Sequence, residues 1–257
     1  MRLAQENAKD TVDVELVAAF YKEDEKMVPD FFTRTSFLQK SVLDQSEFKT
    51  PMKYPLIAEI LEKAVNETSA DYIIYSNVDI GLYPDFYIRL NGLLNQGHDA
   101  LIINRNRLEQ LYTDVADLGK IFEQKTKSHP GFDCFVFHRN LFDKMELENI
   151  CIGVPFVEIS FSQNLFHLAK NFKLVETNRY TFHIGMEIFK RRAPKEYFRY
   201  NRNEFRKLIK KLDPFLKSKN LPYSNLLLPA RMIKWALHPC IPIKLAGKLE
   251  RRRWRNK

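Results

Sequence analysis

The chain has 257 residues, 45% of them hydrophobic and 28% charged, enough for one α/β domain with an appendage or for two small domains. No apolar run reaches the roughly 18 to 20 residues that span a bilayer, and the polar opening MRLAQENAKD lacks the apolar core of a secretory signal, so a cytoplasmic protein is expected. The net charge of +9 is unevenly placed: residues 1–188 carry −8 and residues 189–257 carry +17, the pattern of a mildly acidic body with a basic module that attracts polyanions.

In chain order, the run Val12–Phe20 (VDVELVAAF) alternates and then becomes continuously apolar, which predicts a first buried strand ending at Tyr21. Leu56, Ile57, Ile60, Leu61 and Ala64 recur at helical spacing, with Thr50 and Pro51 as start signals. A strand follows at Tyr72–Tyr75, and further strands are predicted at Ala100–Ile103, Cys134–Phe137 and Phe172–Val175. Ile159–Ala169 reads as a helix with Phe161, Leu165, Phe166 and Leu168 inward. Strands alternating with helices predict an α/β fold with a mixed, mainly parallel sheet flanked by helices. From Lys195 to Leu212, Phe198, Phe205, Leu208, Ile209 and Leu212 fall near one helical face while Arg199, Arg202, Arg206, Lys207 and Lys210 occupy the rest, a basic amphipathic helix. Two domains are therefore expected, at 1–188 and at 189–257, the second a basic helical extension closing on Arg251, Arg252, Arg253, Trp254 and Arg255.

Two residue types narrow the function by where they are missing. No glycine precedes Gly81, so neither a G-x-G-x-x-G dinucleotide loop nor a phosphate-binding G-x-x-x-x-G-K-[ST] loop exists in the first βα unit. The three cysteines, Cys134, Cys151 and Cys240, form no C-x-x-C pair and leave one over, against both a disulfide framework and a thiolate zinc site.

Three segments carry candidate chemistry. Asn77-Val78-Asp79 ends a buried strand, where α/β proteins place ligand sites, although Asp and Asn also close ordinary turns. His129-Pro130-Gly131-Phe132-Asp133-Cys134 puts a Pro-Gly turn before an acid that opens an apolar strand. Tyr180-Thr181-Phe182-His183-Ile184-Gly185 holds a histidine among aromatics, which reads equally as a core or loop histidine.

Together these segments resemble glycosyltransferases of the GT-A type, a single Rossmann-like domain, and are similar to bacterial members; the resemblance covers about residues 12–188. In that family a D-x-D motif, or a variant such as N-x-D, binds a divalent cation that holds the diphosphate of a nucleotide sugar. The resemblance therefore implies Asp79, Asn77 and His183 around Mn²⁺ or Mg²⁺, with Asn77 offering only a neutral carbonyl. It also implies Asp133 or Glu158 as the base that takes the proton of an attacking hydroxyl; either acid could instead cap a helix or pair with Arg139. The donor's base and ribose would lie against Ala19, Phe20, Tyr21 and Asp24, with Arg34, Arg105 and Arg107 as phosphate contacts and Asn77 at the ribose.

The implied partners are a nucleotide-sugar donor and a glycan or lipid-linked acceptor of a bacterial surface glycan pathway. The basic region, with Trp235 and Trp254, would dock on the anionic inner face of a membrane. A rival reading makes the protein a nucleic-acid-binding or scaffold protein, with Tyr197, Phe198, Tyr200 and Phe205 stacking on bases. A GT-A-like protein without activity is a third.

Overall fold

The computed structural model describes residues 1–110, 114–176, 179–183 and 193–212, and residues 220, 226, 227, 229, 230 and 233. In chain order it comprises helix α1 (Arg2–Ala8), strands β1 (Val17–Ala18) and β2 (Thr33–Arg34), helix α2 (Ile57–Asn66), strands β3 (Tyr72–Ser76) and β4 (Ile80–Leu82), helix α3 (Phe86–Leu94), strand β5 (Ala100–Leu108), helix α4 (Leu118–Glu123), strand β6 (Thr126–His138), helix α5 (Val157–Leu168), strands β7 (Phe172–Val175) and β8 (Thr181–His183), and helix α6 (Lys195–Leu212). The mixed α/β class expected from the sequence is what the chain adopts.

The chain divides into two compact units. The first takes Met1–Leu16 and the described parts of Ile74–Phe137 and Lys170–Arg191 and contains most of the main sheet, whose strand order is β3-β6-β5-β8-β4 with β7 also on β5. β5 is its spine. Its first half, Ala100–Ile103, is fully buried and pairs in parallel with β7, and its second half meets β8 in parallel at Asn106 and Phe182. β6 runs antiparallel along β5, and β8 runs antiparallel to β4.

The β5–β6 register slips twice. Ile103 faces Cys134 while Asn104 faces Phe132, so Asp133 is an extra residue in β6; Asn106 then faces Ser128, leaving two more extra residues between Ser128 and Phe132. Such bulges bend a strand and re-aim its side chains. The bend is needed, because β3 and β4 stand at opposite ends of the strand order but are joined by only Asn77, Val78 and Asp79. Four strand spacings in a flat sheet would be about 19 Å, whereas the chain from Ser76 to Ile80 reaches about 14 Å at most. The sheet must therefore curl.

The second unit takes Val17–Ile73, His138–Ala169 and the described part of Arg192–Lys257. α2 buries Ile57, Leu61 and Val65, one face of the predicted helix. It runs two residues later than the expected Pro55–Ala64 at both ends, and Thr50 and Pro51 do not cap it: Pro55 and Leu56 are bridged to Ser41 and Cys151, and the Thr50 amide is taken by Glu196. The predicted strand Val12–Phe20 shrinks to β1, which pairs only with β2 in a separate two-stranded sheet. Leu16, Phe20 and Tyr21 are buried as the pattern required, but apart from β2 this segment meets only single backbone bonds, such as Leu38 N–H to Phe20 O.

α6 forms over the predicted residues and buries Tyr197, Phe198, Asn201, Glu204, Phe205, Leu208 and Leu212. Phe156, held at φ +95°, meets Phe198 and Phe205 at ring separations of 5.2 and 5.4 Å. Asn201 ties the helix down: its Oδ1 accepts the Cys151 amide at 3.0 Å and its Nδ2 donates to the Cys151 and Pro155 carbonyls. The domain boundary expected between 188 and 189 lies outside the described residues, as do Cys240, Trp235, Trp254 and the Arg251–Arg255 cluster.

Candidate active site

The first unit brings two of the three candidate segments into direct contact. Asn77–Ile80 is a tight turn, closed by the Ile80 amide on the Asn77 carbonyl at 3.1 Å, so the turn reading of these residues is correct as far as the backbone goes. The side chains do more. Asp79 Oδ2 meets His183 Nε2 at 2.9 Å across 104 residues of sequence. The partner is fixed by the sheet, since β8 pairs with β4 so that His183 stands opposite Ile80, one residue from Asp79. Phe182 lies over Gly81, where an added Cβ would sit 2.3 Å from the ring, so only glycine lets β8 approach in this register.

Asp133 projects from the first bulge and pairs with Arg105 on β5, Oδ1 to Nη1 at 2.8 Å, with both side chains largely buried. The alternative partner raised by the sequence, Arg139, is occupied in the second unit by the carbonyls of Val65, Thr68 and Ala70. Gly131 leaves room beside Asp133: a Cβ there would come within 2.7 Å of the His129 ring and 3.1 Å of Asp133 Oδ2.

The two acids are held in opposite electrostatic states. The hydrogen bond from His183 lowers the Asp79 pKa below the ordinary carboxylate range, with a smaller contribution from Arg105. Burial raises that of Asp133, opposed by the charge of Arg105, and Asp79 and His183 also act on it. Asp79 and Asp133 thus belong to one electrostatic cluster. Carboxylates whose environments push their pKa values apart are the usual basis for dividing acid, base and ionic roles in a site.

Three polar atoms of this cluster, Asp79 Oδ1, Asp133 Oδ2 and His183 Nδ1, are buried without a hydrogen-bond partner among the described residues, as are Asn104 Oδ1 on β5 and Thr181 Oγ1 on β8. Leaving a buried acceptor unmade costs about 1–3 kcal/mol, and such atoms call for an explanation. Two of them are carboxylate oxygens, the hard donors that Mg²⁺ and Mn²⁺ prefer. Among the described residues no three His, Cys, Asp or Glu side chains are grouped to hold an ion by themselves, so a cation here would draw most of its ligands from a phosphate-bearing ligand and water.

The remaining candidates fall elsewhere. Asn77 accepts a hydrogen bond from Tyr75 at 3.3 Å in the turn itself, and Arg107 is exposed on β5. Ala19, Phe20, Tyr21, Asp24, Arg34 and Glu158 all belong to the second unit. There Tyr21 is buried and donates to the Lys40 carbonyl, Asp24 is exposed in a 3-10 turn, Arg34 holds Asp30, and Glu158 lies in the first turn of α5. Asn104 was not singled out from sequence. The signal was there: Asn104-Arg105-Asn106-Arg107 interrupts the apolar run of β5, yet Asn104 and Asn106 are buried.

No protein-family profile matches the sequence, and no curated protein matches it. Among solved structures the chain is similar to S. aureus TarS 1-349. Against TarS in complex with UDP-GlcNAc the identity is 10%, the cover 82% of this chain and 72% of that one, and the TM-score 0.39. Against the complex with UDP the values are 9%, 90%, 82% and 0.41. Against TarS alone they are 10%, 71%, 59% and 0.35. The functional reading below rests on the side chains of this chain.

Proposed function

We propose that the protein is a metal-dependent glycosyltransferase that moves a sugar from a nucleotide-sugar donor to a hydroxyl of a glycan or lipid-linked acceptor. The observation that carries this reading is the cluster itself. Two acids lie in one electrostatic field, one held ionised by a histidine, the other buried and raised, and each keeps an oxygen without a partner.

In this reading Asp133 is the base. Burial makes it a better proton acceptor, and Arg105 holds it in place and keeps its ionised form accessible. The acceptor oxygen attacks the anomeric carbon, its proton passes to Asp133 Oδ2, and the bond to the donor phosphate breaks with its electron pair leaving on the diphosphate. Asp79 stays ionised through the working pH range, with His183 fixing its orientation. A Mn²⁺ or Mg²⁺ ion anchored on Asp79 would supply positive charge for the departing diphosphate.

The test is a calorimetric titration with a panel of nucleoside diphosphates, with and without Mn²⁺, on wild type and Asp79→Ala. The reading expects one nucleotide to bind in a manganese-dependent way and Asp79→Ala to weaken that binding by 100-fold or more. Metal-independent binding, or equal binding by the variant, would remove Asp79 from the site.

A further inference from the structure

α6 has a second face that is exposed and forms no ion pair among the described residues. At about 100° per residue, Lys195, Arg199, Arg206 and Lys210 fall within about 60° of arc, and they span about 22 Å along the helix axis. All four are exposed, and none makes an ion pair among the described residues. Arg202 borders the same stripe, half-exposed.

The acids of α6 are spent elsewhere. Glu196 accepts the backbone amides of Lys49 and Thr50, and Glu204 is buried, accepting the Asn149 amide and pairing with Lys207. Lys211, on the flank, is taken by Glu146 and Glu148. The cations off the stripe are therefore neutralised within the unit, while those on it are left unpaired. A like-charge row at i, i+4, i+11 and i+15 disfavours the helix slightly, so an external counter-charge is the natural complement.

We infer that this stripe lays α6 flat on an anionic lipid bilayer, the helix axis in the membrane plane. A straight row of cations in one narrow sector fits a planar field of negative charge. Recognition of single-stranded nucleic acid would need outward aromatics for base stacking, and α6 offers none: Tyr197, Phe198 and Phe205 are buried, and Tyr200 lies against Phe48 with its hydroxyl on the Asn149 carbonyl. The sequence beyond α6 adds the same sign, with 11 Lys and Arg against 2 acids from residue 213 onward. No helix of the described residues is long and apolar enough to cross a membrane, so the contact is peripheral. This surface is independent of the active-site reading and stands or falls separately from it.

The experiment is co-sedimentation of the full chain with phosphatidylcholine vesicles and with vesicles containing 30% phosphatidylglycerol, at 0.1 M and 0.5 M salt. Each cation near an anionic surface is worth about a five-fold change in partitioning. Lys195→Gln, Arg199→Gln, Arg206→Gln and Lys210→Gln combined should lower binding to anionic vesicles by about 600-fold. A charge-matched control, Lys9→Gln, Lys22→Gln, Lys26→Gln and Lys144→Gln, all exposed and off the stripe, should lower it less than five-fold. Unchanged thermal unfolding of both variants shows that the fold is intact. Equal binding to neutral and anionic vesicles, equal losses in the two variants, or stripe-dependent binding to a DNA duplex that outcompetes the vesicles would each overturn the proposal.

Discussion

Asn201 on α6 and Asp133 on β6 are both buried polar side chains held by close neighbours, and they differ in what is left over. Asn201 spends its oxygen on the Cys151 amide and its nitrogen on the carbonyls of Cys151 and Pro155. Asp133 spends one oxygen on Arg105 and keeps the other buried with no partner among the described residues, as Asp79 does beside His183. The first arrangement is complete and serves stability. The second leaves acceptor capacity that a bound group or water can take up, which is why we place function there. The comparison can be broken by variants that treat the two regions alike.

The largest expected effect is on chemistry. Asp133→Asn keeps the shape and the Arg105 contact but removes the base, so turnover should fall about 10²- to 10⁴-fold, with nucleotide affinity and melting temperature nearly unchanged. Loss of folding instead of turnover, seen in thermal unfolding, would make Asp133 a structural residue like Asn201. In the opposite region, Asn201→Ala strands the Cys151 amide and two carbonyls and should cost about 3 kcal/mol in urea unfolding, with nucleotide binding unaltered.

How much of this contrast was legible in the sequence depends on the element. α6 was read over its full length because its apolar positions repeat every three or four residues for five turns, and tertiary packing agrees with that pattern. β1 was not, because VDVELVAAF has a strand's pattern but finds only β2 to pair with. The polar half of β5 was missed for the opposite reason: Asn104–Arg107 looks like a strand's end, yet bulged β6 and β8 carry it on. Asp79 and Asp133 could be chosen from local chemistry, as acids at strand ends, whereas His183 was set beside Asp79 only by the family resemblance. The contacts themselves could not be read. The Asp79–His183 contact depends on β4 meeting β8, and the Asp133–Arg105 pair depends on a bulge that no residue pattern announces.

A third variant sharpens the electrostatic side. In Arg105→Met the charge opposing the burial of Asp133 is gone, so its pKa, already raised, should rise further. Turnover that needs ionised Asp133 should then be lost at higher pH than in wild type, moving the acid limb of kcat/KM upward. The stability deficit of this variant relative to wild type should be greatest above its own folded-state Asp133 pKa and should close as pH falls below the raised wild-type value, the unfolded state being common to both. An unmoved acid limb would assign the pH dependence to another group. The smallest effect belongs to the completed network: Tyr197→Phe loses the hydroxyl that accepts the Met52 amide at 2.7 Å and donates to the Thr50 carbonyl at 2.8 Å. It should cost about 1 kcal/mol by denaturation.

The central claim, that the open oxygens beside His183 and Arg105 await a ligand, is tested most directly by a crystal structure with Mn²⁺ and the nucleoside diphosphate that calorimetry selects. The expected result is an anomalous manganese peak coordinated by the Asp79 carboxylate, with the diphosphate bound at the same site as Asp133. Manganese and nucleotide bound away from Asp79, with Asp79 Oδ1 and Asp133 Oδ2 still unpartnered, would contradict it.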